Sequence, residues 1–277
     1  MSQDIHYGGP GRIAAGDPGR HCRRFEGRVA LLTGAARGIG FASAVRLAGE
    51  GASVCITDRD AAALREASAM AHSAGVRLHT CVMDSSSAQD VAQQIGQLLA
   101  QHGRIDILVN NAGGSLHTPF PYLQESDDDW RRVLDLNLMG AVWASKAVLP
   151  GMTRHGYGRI VNFGSKAGRY GSLIAGANYA AAKGAVAAMT RQMAQEFGPA
   201  GINVNCICPG VVMTERTAGL WAERRTEQER AQVLASIPVR RYCEVDDVAA
   251  AVAFLASEES GFITGVSLDL NGGQAMA

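Results

Sequence analysis

The sequence predicts a single doubly wound α/β domain, a parallel sheet of about seven strands covered by helices on both faces. Short apolar runs alternate with helical stretches from Gly27 onward. The runs are apolar on both faces, the pattern of strands buried on two sides. The first run also passes directly into a glycine-rich turn and a helix, the opening of a Rossmann-type dinucleotide fold.

Val29-Ala30-Leu31-Leu32 reads as the first strand, and Ile39–Glu50 as a helix with Ala44, Val45, Leu47 and Ala48 inward. Ser53–Thr57 is the second strand, and Ala61–Ala74 a helix ended by Gly75. Further strands fall at Arg77–Val82, Ile105–Asn110, Gly158–Phe163, Ile202–Ile207 and Val266–Leu270. Helices cover Ala88–His102, Asp127–Arg154, Tyr179–Phe197 and Val245–Ala256. Right-handed crossovers then make the sheet doubly wound. Residues 1–26 lack apolar periodicity and read as a flexible N-terminal extension, with 27–277 as the one domain. The basic cluster Arg20, His21, Arg23 and Arg24 is a solvated tail or a partner contact.

Composition narrows the function classes. Hydrophobic residues make up 47% and charged residues 19%, the balance of a soluble globular chain. Lys+Arg and Asp+Glu both number 26, so no broad basic field recruits nucleic acid. No apolar run approaches the ~20 residues that span a bilayer. Asp4, His6, Gly8, Gly9 and Pro10 leave no apolar stretch for a secretory signal. The six cysteines form no C-x-x-C pair and read as reduced thiols of a cytoplasmic protein. Cys206 and Cys208 share a strand face, but with no His or second Cys pair nearby no metal is expected.

Three features carry chemistry. Thr33-Gly34-Ala35-Ala36-Arg37-Gly38-Ile39-Gly40 has the strand before it and the helix after it that a phosphate-cradling turn needs. Its spacing is G-x-x-x-G-x-G. Asp58 ends the second strand, 18 residues after Gly40, where a carboxylate accepts both adenosine ribose hydroxyls and repels a 2′-phosphate. Arg37 and Arg59 pull toward a phosphate, or simply pair with Asp58. Tyr179 and Lys183 stand one helical turn apart on the same face. A phenol titrates near about 10, and an ammonium beside it favours the phenolate and acid–base work near neutrality. That spacing also arises by chance, and the upstream motifs decide its meaning.

Those motifs resemble the short-chain dehydrogenase/reductase family over roughly Gly27 to Gly273. Besides the glycine turn there are Asn110-Asn111-Ala112-Gly113, Asn137 in Leu134-Asp135-Leu136-Asn137, and Ser165 after Asn162-Phe163-Gly164. Tyr179 and Lys183, Pro209-Gly210-Val211-Val212-Met213-Thr214, Ile263-Thr264-Gly265 and Asp269-Leu270-Asn271-Gly272-Gly273 complete the set. The resemblance implies hydride transfer between NAD, or alternatively NADP, and an alcohol or ketone. Asn137, Ser165, Tyr179 and Lys183 are then the catalytic tetrad. Tyr179 exchanges the proton, Ser165 holds the substrate oxygen, and Lys183 lowers the Tyr179 pKa and binds the nicotinamide ribose. Asn137 fixes a water linking Lys183 to solvent. Gly34, Arg37, Gly38, Ile39, Gly40, Asp58, Asp84, Asn111, Ala112, Gly113, Pro209, Gly210, Val212 and Thr214 are expected at the cofactor. Asp84 would meet the adenine amine, and Thr214 with the Val212 backbone the carboxamide. Asn137 satisfying backbone groups, Ser165 as a turn residue and Asp84 as a helix cap are the alternatives.

The Ser165–Tyr179 interval is 14 residues, one longer than in many members, so the connecting loop should bulge. Phe163-Gly164 stands where Ile-Ser is common, and Arg241-Tyr242-Cys243-Glu244 where a Gly-x-Pro turn is common. Family members carry a lid here, about Met213–Gln232, with Arg216, Trp221, Arg224 and Arg225. With Lys166, Arg169, Tyr170, Leu116 and His117, these cations either bind an anionic substrate or form a solvated surface. The substrate itself is not named by these residues. An NADPH-dependent carbonyl reductase of 3-oxoacyl type is the alternative activity. A non-catalytic NAD(H) sensor would need none of the tetrad, which argues against it. Apolar positions at Ala141, Ala144, Ala187, Met189 and Met193 exceed what one buried face requires and predict a homotetramer.

Overall fold

The computed structural model describes residues 23–172 and 174–276. Seven strands build one parallel sheet: β1 (Val29–Leu32), β2 (Ser53–Asp58), β3 (Leu78–Val82), β4 (Ile107–Asn110), β5 (Gly158–Phe163), β6 (Ile202–Pro209) and β7 (Ser267–Leu270). Their order is β3-β2-β1-β4-β5-β6-β7, with every neighbouring pair parallel. The winding direction reverses between β1 and β4, which opens a crevice beyond their carboxyl ends.

Two apolar layers sandwich the sheet, because alternate residues of a strand point to opposite faces. Ala30, Leu32, Val54, Ile56, Val109 and Phe163 pack on one side with α1 (Gly38–Gly49), α2 (Ala61–Ser73) and, further along the chain, the helix Val245–Ala256. Leu31, Cys55, Leu108, Ile160 and Val204 pack on the other with α3 (Ala88–His102), α5 (Gly140–His155) and the end of α7 (Ala177–Phe197). The remaining helices are α4 (Asp127–Leu134), α6 (Ala167–Tyr170), α8 (Glu215–Arg224), α9 (Glu227–Ser236) and α10, the Val245–Ala256 helix already placed.

Several expectations change. The single helix expected over Asp127–Arg154 is broken by a π-turn at Asp135–Met139, between α4 and α5. The extension expected over residues 1–26 lies outside the described residues up to 22, but its last residues are packed. Phe25 is 1% exposed, and Arg24 bridges Glu50 at 2.6 Å and Glu259 at 2.9 Å. The fold therefore begins upstream of Gly27. Ala141, Ala144 and Ala187, expected on outward faces, are buried within the single chain. No helix among the described residues is long and apolar enough to cross a membrane.

Candidate active site

The site lies at the carboxyl ends of β1, β4, β5 and β6, and its walls are drawn together by backbone contacts. After β1, Gly34 and Gly38 take φ of 59° and 56°, left-handed values that favour glycine. A Cβ at Gly34 would lie 2.7 Å from the Ala112 Cα, so the turns after β1 and β4 touch backbone to backbone. Asn111 locks them, donating from Nδ2 to the Thr33 carbonyl (3.0 Å) and the Gly34 carbonyl (2.7 Å). Ala112 N donates to Thr33 Oγ1 at 3.1 Å. Asn111 and Ala112 thus shape the glycine turn with side chain and backbone.

The first turn of α1 has no side-chain cap and no acidic residue. By contrast α4, α9 and α10 each close with a capping box. The free N–H groups of α1, behind two left-handed glycines, fit the pyrophosphate of a dinucleotide. Thr214 faces this turn, its methyl 3.4 Å from where a Gly38 Cβ would stand, while its Oγ1 caps α8 through Thr217 N. Val212 is buried in a bridge to Cys243. Gly210 N extends the sheet by donating to the Leu270 carbonyl.

Asp58 ends β2, its carboxylate accepting from Ala36 N (3.4 Å) and Asp60 N (3.2 Å). The pairing of Arg37 with Asp58 does not occur: Arg37 lies 3.5 Å from Glu66 and 3.9 Å from Asp60. Asp84 accepts from both the N–H and the hydroxyl of Ser86, at 2.9 and 2.6 Å. Those bonds, offset in part by burial, hold its carboxyl below the usual range. The helix behind it is capped by Ser87, so the alternative reading of Asp84 as that cap is not the case.

Ser165, Tyr179 and Lys183 converge across a glycine seam. A Cβ at Gly168 on α6 would lie 2.5 Å from the backbone N of Gly184 on α7. This close approach draws the loop after β5, with Ser165 on it, onto α7 beside the Tyr179 phenol. The short α6 lies within the 14-residue interval between Ser165 and Tyr179. Lys183 is 4% exposed and donates to the Phe163 carbonyl at 2.8 Å, with Nζ 5.8 Å from the Tyr179 ring centre. Burial pushes its ammonium down to about 8. Burial likewise raises the Tyr179 phenol, against which the neighbouring Ser165 hydroxyl and the Arg216 charge act.

Asn137 sits in the π-turn, 2% exposed. Its Oδ1 accepts from Gly114 N, and its Nδ2 donates to the Gly114 and Val133 carbonyls, all at 2.9 Å. Both amide protons are thus committed to backbone. The side chain fixes the strap Gly113-Gly114. A Cβ at Gly113 would lie 2.7 Å from Asn137 Oδ1 and 3.0 Å from Lys183 Nζ, so the strap runs directly over the lysine.

The cations assigned to the cleft divide. Arg169 pairs with Asp269 (2.8 Å), and Arg224 donates to the Ile174 and Thr118 carbonyls (2.8 and 3.1 Å). Trp221 is 2% exposed and anchors α8. Arg216 donates to the Gly113 carbonyl at 3.0 Å. The Phe163 carbonyl and the Gly168–Gly184 seam escaped the sequence reading, since backbone acceptors carry no residue signature. The helix α9 did have one, the capping-box pattern Thr226-Glu227-Gln228-Glu229.

A family model described as enoyl-(acyl carrier protein) reductase matches residues 34–275. The chain belongs to the short-chain dehydrogenase/reductase family. This short-chain dehydrogenase/reductase is 41% identical over 249 residues to the short-chain reductase protein NovJ of Streptomyces niveus, covering 89% of this chain and 93% of that one. It is 38% identical over 252 residues to the 3-oxoacyl-(acyl-carrier-protein) reductase FabG of Escherichia coli strain K12, covering 91% and 99%. Among solved structures, NAD+-bound xylitol dehydrogenase superposes with a TM-score of 0.81 at 37% identity, covering 89% and 98%. Levodione reductase superposes with a TM-score of 0.84 at 32% identity, covering 91% and 98%.

Proposed function

We propose that this oxidoreductase transfers hydride reversibly between NAD(H) and a secondary alcohol or ketone. The observation that carries the reading is the meeting of Ser165, Tyr179 and Lys183 beside an uncapped, glycine-lined helix N-terminus. The dinucleotide, when bound, donates or accepts the hydride. Gly34, Gly38, Ile39 and Gly40 would hold its pyrophosphate, and Asp58 its adenosine ribose. Asp84 would meet the adenine amine. Lys183 would take the other ribose, with Pro209, Gly210, Val212 and Thr214 at the carboxamide.

In the reducing direction Tyr179 gives its hydroxyl proton to the carbonyl oxygen as alkoxide charge develops. Ser165 donates a hydrogen bond to that oxygen, which lowers the cost of the charge. Asn137 acts through the strap that it fixes above Lys183.

A second reading, an NADPH-dependent 3-oxoacyl-type reductase, is favoured by two observations. Three of the four proteins named above are reductases, and Arg37 stands apart from Asp58 with 64% of its side chain exposed. A panel of secondary alcohols and ketones, each assayed with NAD(H) and NADP(H), tests both. Turnover with NAD(H) favoured supports the first reading, and NADP(H) favoured supports the second. No turnover with any pair contradicts both.

A further inference from the structure

Arg216 is placed where a helix gains nothing from a cation. It lies in the first turn of α8, where the positive end of the dipole disfavours positive charge. It is exposed and forms no ion pair among the described residues. Its one hydrogen bond goes to the Gly113 carbonyl, at 3.0 Å. Gly114, at φ 153°, leaves the slot it occupies: a Cβ there would lie 2.8 Å from Arg216 Nη1. The same strap touches Lys183 on its other side, where a Gly113 Cβ would be 3.0 Å from Nζ. Arg216 and Lys183 thus contact adjacent glycines of one strap, and the Arg216 charge lowers both the Lys183 ammonium and the Tyr179 phenol. Arg169 and Arg224, by contrast, are committed to Asp269 and to backbone carbonyls.

We propose that Arg216 is a specificity-determining residue that selects substrates bearing a carboxylate close to the reacting carbonyl. The proposal rests on the hydride-transfer reading and deepens it. A guanidinium presents a planar fork of N–H donors that matches a carboxylate in a bidentate pair. A neutral backbone carbonyl is a weak partner that such an anion displaces. The α1 N-terminus offers the pyrophosphate of a dinucleotide a cradle that does not use Arg216.

The test is calorimetric titration of 3-oxobutanoate and of its methyl ester into the full-length protein, with and without NADH. The carboxylate should bind at least about tenfold more tightly than the ester, the scale of one charge-assisted hydrogen bond. Arg216→Met should bring that ratio to about one while NADH affinity stays within about threefold, and Arg216→Lys should keep an intermediate ratio. A wild-type protein that binds the acid no better than the ester overturns the proposal. So does a ratio that survives Arg216→Met, including one where both ligands weaken together through a damaged fold. A loss confined to NADH affinity also overturns it and assigns the guanidinium to a cofactor phosphate. These are binding measurements, so they stand apart from the turnover panel that tests the hydride-transfer reading itself.

Discussion

At the scale of single residues, the side chains proposed as a tetrad could be picked out because each is a distinct chemical type at a fixed spacing. Their protonation could not, since it depends on burial and on backbone acceptors. Lys183 is the clearest case. An ammonium buried to 4% exposure and held by one carbonyl carries a desolvation cost. Its folded-state pKa is pushed down to about 8 from 10.5. Between those values the unfolded chain binds one proton more, so stability rises with pH through that window and is lower beneath it. Lys183→Met should therefore melt at or above the wild-type temperature at pH 7, although it should lose activity. The gap should narrow as pH rises from 8 toward 10. Scanning calorimetry of both proteins across that range checks this. A variant that melts well below wild type, with a gap that ignores pH, would show that the lysine stabilises the fold.

At the scale of elements, apolar periodicity placed all seven strands and most helices. It failed where periodicity continues through a change of geometry. Val133, Asn137, Gly140 and Ala144 are all buried, so one buried face runs unbroken from α4 through the π-turn into α5. It failed again at α9, which buries no residue and is held at its start by its capping box. The element most open to test is the carboxyl end of β2, where Asp58 meets the turn before α1. A carboxylate there should accept two ribose hydrogen bonds from NAD and repel the added phosphate of NADP. Wild-type kcat/KM should favour NAD by at least about tenfold, about 1.4 kcal/mol. Asp58→Ala should shrink or reverse the preference, since Arg37 has only exposed partners at 3.5 and 3.9 Å to leave. Steady-state kinetics with both cofactors decide it. Equal values, or NADP preferred by the wild type, would promote the reductase reading.

At the scale of the whole molecule, the doubly wound parallel sheet of seven strands was legible from the alternation of apolar runs and helical stretches, while its strand order comes from the structure. Outer surfaces were not, because Ala141, Ala144 and Ala187 are small enough to serve a chain's own core as readily as a partner. The argument for self-association now rests elsewhere. β7 is an edge strand with its residues half-buried, and Val239, Phe262 and Met276 are exposed, Phe262 fully. We expect a homotetramer, and light scattering that gives only 29.1 kDa at micromolar protein would reject it. The central claim is the role of the Tyr179 hydroxyl, and the kcat/KM for alcohol oxidation against pH, in wild type and Tyr179→Phe, tests it most directly. Oxidation requires the phenolate, and burial raises the phenol, so wild-type kcat/KM should climb as pH rises into the alkaline range. Tyr179→Phe should lose about 10²–10⁴-fold and the climb with it, with cofactor affinity little changed. A variant that keeps more than about a tenth of wild-type activity, or the same pH dependence, would contradict the assignment.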